Sequence, residues 1–426
     1  MTSRPIASVL TLGCKLNLAD SEQIARGLRA AGFEVVDQVC EAQAVVVNTC
    51  SVTHVADRKS RRLIRSVRRM SPGAAVAVTG CFPQSAGFDA ARELGADFVA
   101  GTRDADKAAL LDFFAARVTS EPVTTAAPAL HTRTFVKAQE GCNDVCAFCI
   151  VPRTRGREES RTPEAVCREI ALAVEAGARE SVVTGTQLGA WGRDLSEPLR
   201  PHQLIAAILE DTEVARIRFS SLQPQDITPD LLALWADPRL MPHFHLALQS
   251  GSDATLRAMR RRYSRRDFLL AAERIRAAVP AAAITTDIIA GFPGETDADF
   301  ADTLSLCREV GFARVHTFPY SQRQRTAAAH MPGQVAPDVR KERVAELLAL
   351  GKRLSETFRL RHAGAVRPVL WETERELDGA AVWFGHTDNY IGVIMPGEGM
   401  RNRVTPVVLG PLVGEGVRGL PVGAAA

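Results

Sequence analysis

In Gly-Cys-Asn-Asp-Val-Cys-Ala-Phe-Cys-Ile, residues 141–150, three cysteines fall within eight residues: Cys142, Cys146 and Cys149. No fourth cysteine or histidine lies nearby to complete a tetrahedral site. Structural zinc is normally closed by four protein ligands, whereas a cubane iron–sulfur cluster held by three thiolates leaves one iron open to a substrate or cosubstrate. The spacing therefore predicts a reactive iron–sulfur cluster, with a zinc knuckle or a chance cluster as the alternative.

The composition is that of a globular chain of two or three domains. It has 426 residues, 46% of them hydrophobic, and a net charge of +3 that is too small to identify a partner. The sequence shows no signal-peptide pattern and no transmembrane stretch, so we expect a cytoplasmic protein without a membrane partner. Nine cysteines, an odd number spread thinly, argue against a disulfide framework and for reduced thiols that serve as ligands.

Residues 1–117 alternate short β-rich runs with helical patterns, which predicts an α/β domain with a doubly wound parallel sheet. The strand candidates are Ala7–Gly13, Phe33–Val36, Ala44–Asn48, Ala75–Gly80 and Asp97–Ala100. The first helix is expected to begin near Asp20 and Ser21 as caps and to end before Gly32. Its apolar Ile24 and Leu28 are spaced to pack on the sheet.

Three further cysteines follow strand ends in this domain: Cys14, Cys50 and Cys81. Because the carboxyl ends of strands in an open α/β sheet converge on one crevice, residues more than thirty positions apart can meet there. Gly13 and Gly80 would let the backbone approach closely. We therefore predict a second three-thiolate cluster, with buried free cysteines as the alternative. The cysteines without such partners are Cys40, Cys167 and Cys307.

A Thr-, Ala- and Pro-rich stretch, residues 118–134, is the expected linker to a second domain at residues 135–360. Six β-rich runs alternate with helical patterns there and predict a partial (β/α)6 barrel. The runs are Phe135–Ala138, Ser181–Thr184, Arg216–Ser220, His245–Gln249, Ile284–Ile289 and Arg314–Phe318. Segments with polar side chains and glycines lie at strand ends at 184–187, 248–252 and 287–295, where the backbone could approach a bound nucleoside.

Residues 361–426 change to short strands and turns, which predicts a small β-barrel. The strand candidates are Val366–Glu372, Ala381–His386, Tyr390–Met395 and Arg403–Leu409. The Gly-, Pro- and Ala-rich stretch Gly410–Ala426 is expected to be a mobile tail. From Ala363 onward the segment has five arginines, no lysine and seven carboxylates, so only a local patch around Arg401 and Arg403 could bind phosphate.

Arginines are concentrated in three tracts. In the predicted helix Val55–Met70 they recur at spacings of three and four and build one cationic face: Arg58, Arg61, Arg62, Arg65, Arg68 and Arg69. The other tracts contain Arg153, Arg155, Arg157 and Arg161, and Arg260, Arg261, Arg262, Arg265 and Arg266. Arginines so close together repel one another, and binding to the phosphates of a nucleic acid would neutralise their charges and reverse that cost. The pattern favours an RNA backbone held over the reaction centre, with a solvated basic face as the alternative.

Together these segments resemble the radical S-adenosylmethionine (SAM) methylthiotransferases. The three cysteines of residues 142–149, with Phe148 before the last one, are similar to the CxxxCxΦC signature of radical SAM enzymes. Residues 11–17 (Thr-Leu-Gly-Cys-Lys-Leu-Asn), 48–53 (Asn-Thr-Cys-Ser-Val-Thr) and 79–81 (Thr-Gly-Cys) resemble the N-terminal domain of the methylthiotransferases. Residues 385–390, Gly-His-Thr-Asp-Asn-Tyr, resemble the RNA-binding TRAM barrel of the same family.

The resemblance implies two 4Fe–4S clusters, a radical cluster at Cys142, Cys146 and Cys149 and an auxiliary cluster at Cys14, Cys50 and Cys81. It also implies that SAM binds the open iron of the radical cluster. The implied SAM contacts are Thr186, Gln249, Ser250 and Gly291. The candidate RNA contacts are Arg58, Arg61, Arg62, Arg65, Arg69, Arg157 and Arg262. The implied partners are the anticodon stem-loop of tRNA and a reductant protein of the flavodoxin or ferredoxin type.

Residues 57–61, 220–224 and 261–263 are most similar to the type that adds a methylthio group to carbon 2 of threonylcarbamoyladenosine at position 37 of tRNA. Three alternatives remain: the enzyme that acts on isopentenyladenosine in tRNA, the enzyme that acts on an aspartate of a ribosomal protein, and a non-catalytic iron–sulfur RNA-binding protein. Two departures from the family pattern stand out: residues 82–84 read Phe-Pro-Gln where Tyr-Ala-Gln is common, and Arg325 occupies a usual glycine position.

Overall fold

The computed structural model describes residues 4–117 and 132–423. The expected linker, residues 118–134, therefore lies outside the described residues except for 132–134. None of the helices in the described ranges combines the length and the apolar character that a membrane crossing requires. The strands form a parallel sheet, a barrel of two linked sheets and a closed barrel, in chain order.

The first unit is a five-stranded parallel sheet in the order β2-β1-β3-β4-β5, which confirms the doubly wound prediction. Its strands are β1 (Ile6–Thr11), β2 (Glu34–Val36), β3 (Ala44–Thr49), β4 (Ala75–Gly80) and β5 (Phe98–Val99). Its helices are α1 (Lys15–Ala30), α2 (His54–Met70), α3 (Cys81–Ala86), α4 (Phe88–Arg92) and α5 (Asp104–Ala115). Apolar side chains of α1 and α5 bury one face of the sheet and those of α2 and α3 the other.

Helix α1 begins at Lys15, so the expectation that Asp20 and Ser21 cap it was wrong. The residue before the helix is Cys14, whose side chain makes no capping hydrogen bond. Asp20 and Ser21 instead make tertiary contacts: Asp20 joins a buried ion cluster, and the Ser21 hydroxyl accepts a hydrogen bond from Asn48 Nδ2 at 3.0 Å. Both polar side chains resemble caps in the sequence because caps and buried polar contacts use the same residue types.

The second unit is a partial barrel of six parallel strands, as expected. Its strands are β6 (Arg133–Glu140), β8 (Glu180–Gly185), β9 (Arg216–Phe219), β10 (His243–His245), β11 (Ala283–Ala290) and β12 (Arg314–Pro319), and the short β7 (Glu159–Ser160) pairs antiparallel with β6. Its helices are α6 (Val151–Thr154), α7 (Pro163–Glu175), α8 (Pro201–Asp211), α9 (Pro229–Ala233), α10 (Asp253–Ala258), α11 (Arg265–Ala278), α12 (Asp297–Val310) and α13 (Pro337–Leu360). Parallel bridges Ile217–Leu240 and Leu222–Leu246 join its two sheets.

The two faces of this barrel differ in polarity. Apolar residues on the outer face pack under the helices in the largest core of the protein. The inner face carries charge: Glu180 accepts hydrogen bonds from Arg216 Nε at 2.8 Å and from Arg218 Nε at 2.7 Å, and all three side chains are buried. Burial opposes ionisation of Glu180, but Arg218 and Arg216 outweigh it and lower its pKa to about 2.

The third unit is a closed β-barrel in the order β13-β14-β15-β17-β16. Its strands are β13 (Val366–Leu377), β14 (Ala380–Thr387), β15 (Gly392–Met395), β16 (Val404–Val413) and β17 (Gly416–Pro421). The expectation of a mobile tail from Gly410 was therefore wrong, because β17 completes the barrel. Gly414, with a φ of 55°, makes the turn into β17, and a Cβ on Gly416 would lie 2.6 Å from the Gly392 carbonyl oxygen.

Tyr390 of the closed barrel covers the amino end of the partial barrel. Its ring stacks on His386 at 4.6 Å, and its hydroxyl accepts a hydrogen bond from Arg133 Nη1 at 2.9 Å. Arg218 lies over the ring at 4.5 Å, and His243 approaches it at 4.8 Å. Tyr390 thus covers the starts of the strands that carry Arg133, Arg218 and His243.

Candidate active site

The loop after β6 carries the three cysteines of residues 142–149. Gly141 has a φ of 70°, and a Cβ there would lie 1.9 Å from the Arg157 carbonyl oxygen, so only glycine fits. Two backbone hydrogen bonds shape the loop: Cys142 N to Gly156 O at 3.1 Å, and Cys149 N to Cys146 O at 3.1 Å. The loop is thus fixed by backbone geometry before any metal binds.

Two polar side chains contact the sulfurs of this loop. Gln187 Oε1 accepts a hydrogen bond from the Cys142 thiol at 3.2 Å, and Arg261 Nη1 donates to Cys146 Sγ at 3.3 Å. Burial raises the pKa of Cys142 to about 11 and that of Cys149 to about 12, so metal binding must displace protons there. Arg261 supplies a positive charge beside the sulfurs, which suits an anionic thiolate cluster.

The second group of cysteines meets at the carboxyl ends of β1, β3 and β4. Cys14 Sγ donates to Asn17 Oδ1 at 3.4 Å, and Asn17 Nδ2 donates to Asn48 Oδ1 at 2.9 Å, which ties the start of α1 to β3. Burial raises the pKa of Cys50 to about 11, and both Cys81 and Cys14 lie close enough to raise it further. The sequence prediction that these three cysteines converge is therefore consistent with the fold.

Arg155 shows that this second group fits an anionic cluster. Its Nη1 contacts Asp20 and Glu140, whereas its Nη2 is buried without a hydrogen-bond partner among the described residues. Burial raises the pKa of the Cys81 thiol, and the Arg155 guanidinium beside it opposes that shift by favouring the thiolate. A buried N–H without an acceptor is rare, and sulfur of a bound cluster would satisfy it.

The sulfur spacing argues against zinc at either group. Side chains whose ligand atoms all lie within 4.8 Å of one another could bind a single metal ion. In the described part of the chain, His245, Asp287 and His316 form such a group, and neither cysteine group does. Four thiolates on one zinc lie about 3.8 Å apart, given Zn–S bonds of about 2.3 Å. A cubane, whose thiolates bind different irons, needs the wider spacing. The assignment of the six cysteines as ligands of two 4Fe–4S clusters stays a prediction with which this spacing is consistent.

A buried ion cluster joins the two cysteine-bearing units. Asp20 Oδ1 contacts Lys107 Nζ at 2.8 Å and Lys137 Nζ at 3.0 Å, while Asp20 Oδ2 contacts Arg155 Nη1 at 3.1 Å. Glu140 pairs with Lys137 and Arg155 from the other side. Burial opposes ionisation of Asp20, but the surrounding cations outweigh it and hold its pKa well below the usual range. The cluster fixes the sheet unit against the partial barrel.

Polar side chains line the interior of the partial barrel, which we call the chamber. His245 Nε2 lies 3.2 Å from Asp287 Oδ2, and His316 completes the compact group on three neighbouring strands. Burial lowers the pKa of His316 to about 4, so its imidazole is neutral at pH 7. Lys15 enters the same chamber, and burial together with Arg218 lowers its pKa to about 8. The cationic lysine beside Asp287 disfavours a divalent metal ion at this group.

The predicted SAM contacts follow the carboxyl ends of three barrel strands: Thr186 follows β8, Gln249 and Ser250 follow β10, and Gly291 follows β11. Thr186 Oγ1 is buried without a partner among the described residues, as expected of a group that awaits a ligand. Gln249 has a φ of 68°, and Gly291 has a φ of 74° with its N–H donating to Glu295 at 3.0 Å. The Ser250 hydroxyl lies 3.3 Å from that of Thr303 and faces the protein interior. These four contacts stay predictions.

The arginine tracts divide into exposed and internal members. The exposed face of α2 carries Arg58, Arg62, Arg65 and Arg69, while Arg61 lies over the Phe82 ring at 4.8 Å. Arg157 is also exposed, and Arg262 is exposed although it pairs with Asp144.

The expectation that Arg68 belongs to the same cationic face was wrong. Arg68 pairs with Asp97 at 2.6 Å and donates to the Gly95 carbonyl group. Arg155 and Arg261, counted with the RNA tracts in the sequence, point instead at the two cysteine groups. Sequence reasoning missed this role, and their position beside cysteine motifs was the signal that could have indicated it.

Two family models match the chain, one in the sheet unit and one in the partial barrel. The Uncharacterized protein family UPF0004 matches residues 7–101, and the Radical SAM superfamily matches residues 136–307. The chain is 35% identical over 415 residues to the "Threonylcarbamoyladenosine tRNA methylthiotransferase MtaB" of Bacillus subtilis (strain 168), covering 93% of this chain and 92% of the relative. It is 39% identical to the "tRNA-2-methylthio-N(6)-dimethylallyladenosine synthase" of Acidothermus cellulolyticus, covering 85% of this chain and 76% of the relative.

Among solved structures, the radical SAM methyltransferase TsrM from Kitasatospora setae is similar with a TM-score of 0.54 and 15% identity, covering 75% of each chain. The radical SAM enzyme OxsB is similar with a TM-score of 0.52 and 11% identity, covering 83% of this chain and 56% of that one. At these identities the similarity concerns the fold alone.

Proposed function

The chain belongs to the radical SAM methylthiotransferases, which carry two 4Fe–4S clusters and use SAM, and from that premise we propose that it modifies threonylcarbamoyladenosine at position 37 of tRNA. The observation that carries the proposal is the polar interior of the partial barrel, where Lys15 lies near Arg218 and Asp287 and where His245 and His316 flank Asp287. A threonylcarbamoyl group brings hydrogen-bonding atoms and a carboxylate, which such an interior can satisfy.

The reaction needs two sulfur-bearing centres at fixed separation. When bound, the clusters and SAM supply one-electron cleavage of SAM, removal of hydrogen from carbon 2 and the sulfur that replaces it. Arg261 and Gln187 hold the radical-cluster loop through Cys146 and Cys142. Arg155 connects Cys81 to the ion cluster, so the auxiliary cysteines cannot shift relative to the barrel without breaking buried ion pairs.

The protein surface around the chamber suits an RNA substrate. The exposed arginines of α2 lie on the helix that follows Cys50, so they would hold phosphates near the auxiliary centre. Phe318, two residues after His316 on β12, is 42% exposed and offers an aromatic ring for stacking a flipped-out base. Candidate residues outside α2, Arg157 and Arg262, lie beside the radical-cluster loop.

One alternative substrate has specific support. The relative named for dimethylallyladenosine is 39% identical, slightly more than the 35% of the relative named for threonylcarbamoyladenosine. The dimethylallyl group is apolar and uncharged, however, and would desolvate the charged groups of the chamber without pairing with them. The chemistry of the chamber therefore favours the threonylcarbamoyl substrate.

Mass spectrometry of bulk tRNA nucleosides tests the proposal directly. In a strain that lacks this activity, expression of the chain should produce the methylthio derivative of threonylcarbamoyladenosine. Cys142→Ala should abolish it, whereas Cys40→Ala, which changes an exposed cysteine outside both groups, should not. Reconstituted protein should bind ~8 irons, and Cys142→Ala should retain ~4. Methylthio-dimethylallyladenosine as the only product would contradict the proposal.

A further inference from the structure

Lys15 is a cation without a partner in the reaction chamber. It follows Cys14 directly and forms the first residue of α1. Within residues 4–117 and 132–423 its ammonium group makes no hydrogen bond and no ion pair, although Arg218 and Asp287 lie close enough to act on its charge. His243 and His316 also lie within its electrostatic reach. Lys15 is half-buried and α1 packs against β6 and β8, so its side chain lies beside the barrel strands rather than in open solvent.

The other cations of the chamber already have counter-charges. Arg218 pairs with Glu180, and Arg133 pairs with Glu372 at 2.7 Å. The Lys15 ammonium has the nearby charge of Asp287 but no direct hydrogen bond or ion pair among the described residues, so a ligand carboxylate would supply an acceptor that it lacks.

We propose that Lys15 binds the carboxylate of the threonylcarbamoyl group and thereby selects this substrate over uncharged N6-modified adenosines. The inference rests on the proposed function. Adenine carries N6, N1 and C2 along one edge, so a residue adjacent to an auxiliary-cluster cysteine can reach a substituent on N6 while C2 faces the sulfur centre. The contact is a charge-assisted hydrogen bond, which is strong in a partly desolvated site.

The same position would disfavour a dimethylallyl group. That substituent has no acceptor for the ammonium group and would remove water from it, which penalises the wrong substrate. Lys15 would thus contribute to specificity in two ways, by attraction of the carboxylate and by the desolvation cost of an apolar group.

The test compares three anticodon stem-loop RNAs that differ at one nucleoside. One carries threonylcarbamoyladenosine, the second carries its neutral carboxamide, in which the carboxylate is replaced by an amide, and the third carries dimethylallyladenosine. Binding affinity and methylthiolation are measured with anaerobically reconstituted wild type, Lys15→Gln and Lys15→Arg. Lys352→Gln is the matched control, since Lys352 is exposed on α13. Iron content confirms that each variant holds both clusters.

Wild type and Lys352→Gln should prefer the carboxylate RNA over the carboxamide RNA by at least about tenfold in affinity. Lys15→Gln should lose that preference, and Lys15→Arg should retain part of it. If Lys15→Gln keeps the preference with both clusters present, the assignment of Lys15 is wrong while the proposed function stands. If wild type modifies only the dimethylallyladenosine RNA, both are wrong.

Discussion

Glu22 is a buried acid whose carboxylate accepts too few hydrogen bonds to compensate for its removal from water. Its Oε2 accepts hydrogen bonds from Thr134 Oγ1 at 2.6 Å and from Phe135 N at 3.1 Å, whereas Oε1 is buried without a partner in the described residues. Burial raises its pKa to about 7, because the two hydrogen bonds and Arg26 only partly offset desolvation. The folded protein therefore binds this proton more tightly than the unfolded chain does.

The raised pKa predicts a pH-dependent effect of Glu22→Gln. Between about pH 4.5 and pH 7 the native state holds a proton that the unfolded state has lost, so the stability contributed by this site falls as the pH rises. At pH 8 the glutamine variant should be more stable than wild type by up to about 3 kcal/mol, and the difference should shrink toward pH 5. Urea denaturation at both pH values measures it.

Glu34→Gln is the control for this experiment, because Glu34 is exposed on β2. Its effect on the free energy of unfolding should be small and independent of pH. A Glu22→Gln variant whose stability difference from wild type does not change between pH 5 and pH 8 would show that the carboxyl group is not held protonated.

Individual arginines show where sequence reasoning reaches its limit. Exposed Arg62 and internal Arg155 and Arg261 have the same chemistry and stand in similar tracts. What separates them is the distance to cysteines and carboxylates that the fold brings in from elsewhere in the chain. Spacing on one helix was enough to predict the exposed face of α2, except for Arg68, but not to identify the arginines that face the sulfurs.

At the scale of the element, α2 should act as an electrostatic contact for RNA. The double variant Arg62→Gln, Arg69→Gln removes two exposed charges from one helix face. Because each arginine that contacts a phosphate releases a counterion, RNA affinity should fall and the slope of log K against log salt should decrease by about one per lost contact. Titration at several salt concentrations measures both quantities.

The matched control is Arg308→Gln, Arg353→Gln, which removes the same charge from the exposed surfaces of α12 and α13. The two double variants have the same net charge, so a general effect of charge would lower the RNA affinity of both by the same amount. Equal salt slopes for the two variants would mean that α2 does not contact the phosphates.

Strands were predicted well because their apolar, β-branched runs are local signals. β4 was predicted with its observed ends, and five of the six parallel strands of the partial barrel were predicted at their observed places, whereas the predicted run His245–Gln249 shares only His245 with β10. β17 was missed because its glycines indicate flexibility in the sequence. In the structure Gly416 lies against Gly392, which allows β17 and β15 to approach closely. The sequence around Gly416 cannot show this contact, because Gly392 is more than twenty residues away.

At the scale of the whole molecule, Asp20 is the centre of the contact between the sheet unit and the partial barrel. Asp20→Asn would leave Lys107, Lys137 and Arg155 buried with less counter-charge. Removing one partner of a buried ion cluster typically costs about 3–5 kcal/mol. We expect a loss of this order in chemical denaturation at pH 7, and a smaller loss in acid, where the unfolded wild-type chain binds a proton at Asp20 more tightly than the native state does and this carboxylate therefore stabilises the fold less.

Asp89→Asn is the control, because Asp89 pairs with Arg92 on the surface and is 88% exposed. Exposed ion pairs contribute little, so this variant should behave like wild type. If the two aspartate variants are equally stable, the buried cluster does not hold the two units together.

The meeting of Cys14, Cys50 and Cys81 could be predicted because a general rule places the carboxyl ends of parallel strands at one edge. The ion cluster could not, because Asp20 is 117 positions from Lys137 and 135 from Arg155 in the sequence. No local pattern marks a residue whose partners lie in another unit. The Arg323 contacts with Asp57 and Ser51 across the same boundary were missed for the same reason.

The Tyr390 contact has a consequence for how the enzyme would protect a radical. Since Tyr390 covers the amino end of the barrel, RNA bound at the carboxyl ends of the strands would cover the opposite end of its interior. A moving lid is then unnecessary, because the substrate itself shuts out water. We expect SAM cleavage without product formation when RNA is absent, and less of it when RNA is present. The ratio of cleaved SAM to methylthiolated nucleoside, measured with and without RNA, tests this expectation.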